Sequence, residues 1–138
     1  MRKLLVILSF LFIAAISFAQ PVDFSTYERV IRRGNVSVVH QGDEYRLIVG
    51  ALKEPKICLL LGMSTDLAAY QVERIRTMGK EENYSTGNRF VSFCGESFFF
   101  SVKGKGESQT YSFRKLNASQ RFSLNAKDVS VIKEAIMH

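Results

Sequence analysis

Lys56–Lys80 reads K-I-C-L-L-L-G-M-S-T-D-L-A-A-Y-Q-V-E-R-I-R-T-M-G-K, and the fold class follows from the change of apolar period inside it. Ile57, Cys58, Leu59, Leu60 and Leu61 form an unbroken apolar run. Side chains alternate sides along a strand, so this run is apolar on both faces and suits an inner strand. Gly62 ends it. Ser64 or Thr65 then supplies an N-cap, and Asp66 sits in the first turn, where the helix dipole favours an acid. From there the spacing is helical. Ala68, Val72, Ile75 and Gly79 recur at four and three, with Leu67 and Met78 alongside. This predicts an amphipathic helix over 66–78, ended by Gly79 as a left-handed C′ residue.

Toward the N-terminus, Val36–Gln41 reads as a strand, Gln41-Gly42-Asp43 as a tight turn and Glu44–Leu52 as a second strand. In that second strand Tyr45, Leu47 and Val49 alternate with polar positions. Lys53-Glu54-Pro55 returns the chain into 57–61, which completes a three-stranded meander. Before it, Ser25 and Glu28 have capping-box spacing and Gly34 follows, so 25–33 is read as a short helix carrying Arg29, Arg32 and Arg33.

Toward the C-terminus, a polar loop is expected over 80–87. Arg89–Cys94, Glu96–Lys103 and Gln109–Lys115 then read as a second meander, with Gly104-Lys105-Gly106 at a hairpin tip. Phe98, Phe100 and Val102 face one way with Tyr111 and Phe113, toward the core. Ser97, Phe99, Ser101, Lys103, Thr110, Ser112 and Arg114 face the other. Asn125 is an N-cap with Asp128 at N3, and Val129, Ile132, Ala135 and Ile136 form the stripe of a helix over 125–137.

The expected class is therefore α+β. An antiparallel sheet of about six strands forms two three-stranded meanders, each followed by a helix packed on one face. The stretches 38–49 and 91–102 align with Gly42 on Gly95, Tyr45 on Phe98 and Val49 on Val102. This reads as a weak β-β-β-α duplication over 35–79 and 88–138. The element order is similar to that of secretion-chaperone-like and β-lactamase-inhibitor-like folds, a likeness of architecture that rests on no shared motif.

Residues 1–19 read as a cleaved signal peptide. Arg2 and Lys3 precede the apolar run Leu4–Ile16, and Ser17-Phe18-Ala19 places small residues where a signal peptidase reads, before Gln20. The run is short of the roughly 20 residues of a spanning helix. The expected mature chain, 20–138, is one domain with no membrane span, secreted or periplasmic. It carries 17 basic and 13 acidic residues. That excess is too mild to predict a nucleic-acid partner.

Of chemistry the sequence offers little. In an oxidising compartment Cys58 and Cys94 have two readings, a disulfide between neighbouring strands or two buried thiols. The bridge would stabilise by about 3–4 kcal/mol on the chain-entropy model. No third and fourth ligand accompany them, so no metal is expected, and no cofactor motif is present. His40 is the one internal histidine. Paired with Cys94 or a carboxylate it defines a runner-up reading as a small hydrolase, but no catalytic constellation is assigned. The leading expectation is a non-enzymatic binding or inhibitory module that meets a protein or envelope component. Phe99 is its anchor on an otherwise polar face, with Lys103 and Arg114 at the rim. A third expectation is an envelope assembly subunit paired through a sheet edge.

Overall fold

A computed structural model describes residues 23–81, 89–116 and 118–138. The leader over 1–19, the cut before Gln20 and most of the loop expected over 80–87 lie outside the described residues. In chain order the elements are β1 (Glu28–Arg33), β2 (Val36–Gln41), β3 (Glu44–Gly50), β4 (Pro55–Gly62), α1 (Thr65–Glu81), β5 (Arg89–Phe93), β6 (Glu96–Lys103), β7 (Thr110–Lys115), β8 (Arg121–Asn125) and α2 (Ala126–Met137). The fold is α+β, with two antiparallel four-stranded sheets ordered β1-β2-β3-β4 and β5-β6-β7-β8. All six strands expected from the alternation are present, and each meander has one strand more.

The first extra strand corrects the helix expected over 25–33. Ser25 lies in a turn instead of capping a helix, its backbone N–H donating to Asp23 Oδ1 at 2.8 Å. The chain then runs extended, and Arg33 pairs with Val36 across a two-residue turn. Val30 and Ile31 are β-branched and suit the pleat, while the capping spacing is a local signal that long-range pairing overrides. The second extra strand is β8, in which Phe122 and Leu124 are buried and Arg121 and Ser123 point outward.

A further correction concerns 57–61. β4 is an edge strand and not an inner one. Its inner side chains Ile57, Leu59 and Leu61 are buried, but Leu60 on the outer side is 39% exposed. The strand is apolar on both faces because α1 covers one and part of a smaller cluster covers the other at Cys58.

α1 begins where the sequence places it. Leu67 donates its N–H to Ser64 Oγ at 3.1 Å. It continues through Gly79, which is not its C′ residue. A Cβ at Gly79 would lie 2.5 Å from Cε1 of Tyr111. The glycine is there so that the helix backbone can rest on that ring, which a methyl group would displace. α2 has the full capping box: Asp128 N–H donates to Asn125 Oδ1 at 2.7 Å, and Asn125 N–H to Asp128 Oδ2 at 3.1 Å.

One core joins the inner faces of both sheets with both helices. The first sheet contributes aliphatic side chains, among them Val38, Leu47, Val49 and Leu59. The second contributes aromatic rings packed around Phe113, with Phe122 at 4.7 Å, Phe100 at 5.0 Å, Phe93 at 5.4 Å and Phe98 at 5.6 Å between centroids. Phe98, Phe100, Val102, Tyr111 and Phe113 are all buried, on the side the alternation assigns them.

Each half of the chain is four strands and a helix. By element order the turn at Gly95, between β5 and β6, corresponds to the turn at Gly34 between β1 and β2. Pairing Gly42 with Gly95 is therefore one strand out of step. Polar side chains also join the halves. Arg33 Nε meets Asp128 Oδ1 at 2.7 Å, and Arg76 donates to Ser130 Oγ and, at 3.3 Å, to the Ala126 carbonyl.

Candidate docking face on the second sheet

Register decides which side chains of the second sheet meet. Phe90 pairs with Phe99, Phe99 with Arg114 and Arg114 with Arg121. These four make one row across all four strands on the outer face. The next row is Ser101, Ser112 and Ser123, and beyond it Lys103 pairs with Thr110. The inner face takes the alternate positions, so apolar residues gather there and the outer face is polar apart from Phe90 and Phe99.

The rows form a structured surface. The Phe90 and Phe99 rings lie 4.5 Å apart at 40°. The Arg114 guanidinium sits 4.7 Å from the centroid of Phe99, on its ring face, where the quadrupole attracts a cation. Ser112 Oγ and Ser123 Oγ are 3.1 Å apart. Phe99 is half-buried, and Phe90 is 62% exposed. Beside the ring pair the strands enclose an open hollow of about 370 Å³, lined among others by Phe99, Ser101, Lys103, Ser112, Arg114 and Arg121. Among the described residues no carboxylate lines it. Arg114 and Arg121 face each other directly, and like charges so placed repel. Among the described residues no ion pair joins Lys103, Arg114 or Arg121 to an acid. The nearby pair Lys115–Glu96, at 3.6 Å, belongs to the inner side.

Phe99, Lys103 and Arg114 thus share one face and one hollow. Phe90 and Arg121 were not legible as members. Arg121 needed β8 to be recognised, and the alternation Arg121-Phe122-Ser123-Leu124 was the available signal. Phe90 needed the register of β5.

The first sheet treats its outer face differently. Phe24, only 2% exposed, packs on Val39 and Ile48, and its N–H donates to the Leu52 carbonyl at 2.8 Å. Arg46 stands over the Phe24 ring at 5.6 Å and bonds Glu44 Oε2 at 2.8 Å through Nε. The Tyr27 hydroxyl donates to the same carboxylate oxygen. Arg46 and then Tyr27 hold the Glu44 carboxyl below its ordinary pKa.

His40 and Cys94 are on different sheets. The His40 ring stacks on Tyr45 at 5.3 Å, with Nδ1 3.2 Å from the Gly42 carbonyl and Nε2 3.1 Å from Glu28 Oε2. Cys94 lies in the β5–β6 turn at φ 53°, the one described non-glycine residue in the left-handed region. With Gly95 at φ 81° it forms a hairpin turn of the kind that usually takes Asn-Gly. Burial pushes its thiol up to about 12, against a partial lowering by Arg74. Such a thiol stays protonated at neutral pH and is a poor nucleophile.

Cys58 and Cys94 are free thiols. Cys58 is on β4 and pairs with Ile48, whereas Cys94 is in a turn of the other sheet, so they are not on neighbouring strands as expected. Cys58 Sγ receives a weak bond from Arg46 at 3.7 Å. Burial raises its pKa more than that guanidinium lowers it.

A second hollow, about 460 Å³, lies between α1, α2 and the turn Gly106–Ser108. Arg76, Lys80 and Lys127 share it with Glu107 and Glu134, so its charges offset one another. Among the described residues no cluster of three His, Cys, Asp or Glu side chains is placed to hold a metal, and no helix is long and apolar enough to cross a membrane. No protein-family model matches the chain, and no curated protein matches it either.

Proposed function

We propose that the protein is a secreted or periplasmic, non-enzymatic binding or inhibitory module, exported by a cleaved leader over 1–19. A protein or envelope component docks on the outer face of the second sheet. Phe99 is the apolar anchor, and Lys103 and Arg114 are at its rim. One observation carries this reading: among the described residues an aromatic pair with a cation on its face is left open on an otherwise polar sheet face, while the chain covers the corresponding face of its other sheet with Phe24. Aromatic and Arg side chains are the groups that most often dominate binding energy at interfaces.

The hydrolase reading has weaker support. Both nitrogens of His40 are engaged in the first sheet and the Cys94 thiol is held protonated.

The test is capture of a partner by the mature chain, 20–138, from the extracellular or envelope fraction of its own source. The Phe99→Ala protein is expected to remain folded and to lose the partner. A folded Phe99→Ala protein that captures the same partner at the same level overturns the docking face.

A further inference from the structure

We infer that the segment received by this face is a short acidic stretch of polypeptide bearing an aromatic side chain, whose carboxylate seats between Arg114 and Arg121. This rests on the docking reading above and adds the chemistry of the partner.

The first sheet provides the template. Its outer face is covered by a short turn of the chain itself, Phe24–Tyr27, closed by the Tyr27 N–H donating to the Phe24 carbonyl at 3.0 Å, and three groups meet there: an arginine, an aromatic ring under it and a carboxylate that the arginine bonds. These are Arg46, Phe24 and Glu44, with Tyr27 from the covering stretch donating to the carboxylate as well. The second sheet has the arginine and the ring, Arg114 over Phe99 at 4.7 Å, but among the described residues neither the carboxylate nor the cover. A second arginine, Arg121, stands opposite instead. A carboxylate between the two guanidiniums removes their mutual repulsion and gives each a charge-assisted partner. The serine row beside them offers hydroxyls to a polar backbone, and the exposed Phe90 edge extends the apolar contact. At about 370 Å³ the hollow takes a few side chains and not a folded protrusion. Three cations are also too few to track a polyanion along its backbone, since such binding rests on a longer run of contacts.

The experiment uses the mature chain and a fluorescein-labelled peptide repeating Gly-Phe-Glu-Ser, read by anisotropy, with circular dichroism on every variant to establish folding. The acidic peptide is expected to bind. Its Gln-for-Glu counterpart, and the acidic peptide against Arg114→Gln with Arg121→Gln, are each expected to bind about tenfold more weakly. The charge-swapped protein, Arg114→Glu with Arg121→Glu, is expected to prefer a Lys-for-Glu peptide. Equal binding of the Glu and Gln peptides overturns the inference, as does a folded charge-swapped protein that keeps its original preference. Heparin provides the third arm. If it binds more tightly than the peptide, and equally to wild type and Phe99→Ala, the face is a general polyanion surface and the inference falls. The two readings fail separately. Loss of the captured partner in Phe99→Ala without discrimination between the peptides keeps the docking face and removes the acidic segment. The acidic peptide requiring Arg114 and Arg121, with partner capture untouched by Phe99→Ala, removes the docking reading and keeps the anion site.

Discussion

The two sheets carry the same pairing of an arginine over an aromatic ring on their outer faces, yet only one is closed. On the first, Phe24 is brought in from outside the sheet and buried, and Arg46 is bonded to Glu44. On the second, Phe99 belongs to β6 itself and Arg114 has its ring but, among the described residues, no acid. Where the chain supplies the cover, the cation is neutralised and the ring is dry. Where it does not, the same chemistry stays wet and positive. The difference teaches that an outward aromatic on a strand is read correctly only with its cross-strand and covering neighbours, because those determine whether it supports the fold or faces outward.

The widest separation between the faces is expected from truncating each ring. Phe24→Ala removes a buried ring and its small cluster, at a cost of about 3 kcal/mol. Phe99→Ala loses a half-exposed ring pair and is expected to cost about 1 kcal/mol. Urea unfolding measures both, and equal losses would break the comparison.

The two helix starts give the next test. α2 has reciprocal capping bonds and α1 a single serine bond, so Asn125→Ala is expected to cost about 1 kcal/mol and Ser64→Ala less, about 0.5 kcal/mol. An unchanged unfolding midpoint in Asn125→Ala would place the α2 start elsewhere.

The turns differ as well. The first sheet puts glycines, Gly34 and Gly42, at left-handed positions, and the second puts Cys94 there. Comparing Cys94→Gly with Cys94→Ala isolates the backbone term, since both lose the thiol. Glycine is expected to be the more stable by about 1 kcal/mol, the reverse of their usual order. Alanine at or above glycine would mean that the turn rearranges.

The smallest effect is pH-dependent and confined to the first sheet. The folded pKa of Glu44 is depressed, by Arg46 first and Tyr27 second. Its contribution is therefore complete above the ordinary carboxylate range, about pH 4, and is lost as pH falls through the depressed value. The protection of the Phe24 amide against exchange, relative to the intrinsic rate at each pH, is expected to fall at acid pH in wild type, and Glu44→Gln should flatten that dependence. The outer face of the second sheet, where no described carboxylate lines the hollow, should show no matching change. A parallel acid response there would end the distinction.

How far this arrangement was legible depended on how local the cause was. The inward set Phe98, Phe100, Tyr111 and Phe113 follows from period-2 alternation, and the Asn125–Asp128 box from spacing within one helical turn. β1 was misread because Ser25 and Glu28 carry a convincing local cap, whereas the hairpin that makes it a strand depends on pairing with Val36–His40. Gly79 was misread for a similar reason. Its sequence position suits a helix end, but its cause is a ring on β7 that no local pattern reveals. The outer row proposed for docking was legible in three of its residues, because β6 and β7 alternate clearly. Arg121 and Phe90 joined it only through register.

The bond between Arg33 and Asp128 has a kinetic consequence. It joins residues 95 apart, from the first strand and the last helix. Contacts of such long sequence separation form late, after the loop they close has been ordered by shorter-range pairing. β1, an edge strand carrying Arg29, Arg32 and Arg33, therefore waits for α2 before its outermost charge is settled. A chain truncated before Asn125 would leave that edge exposed and prone to pair with a neighbour. A ribosome that has not yet released α2 holds the same species, in which the first sheet is drawn but its border is still open.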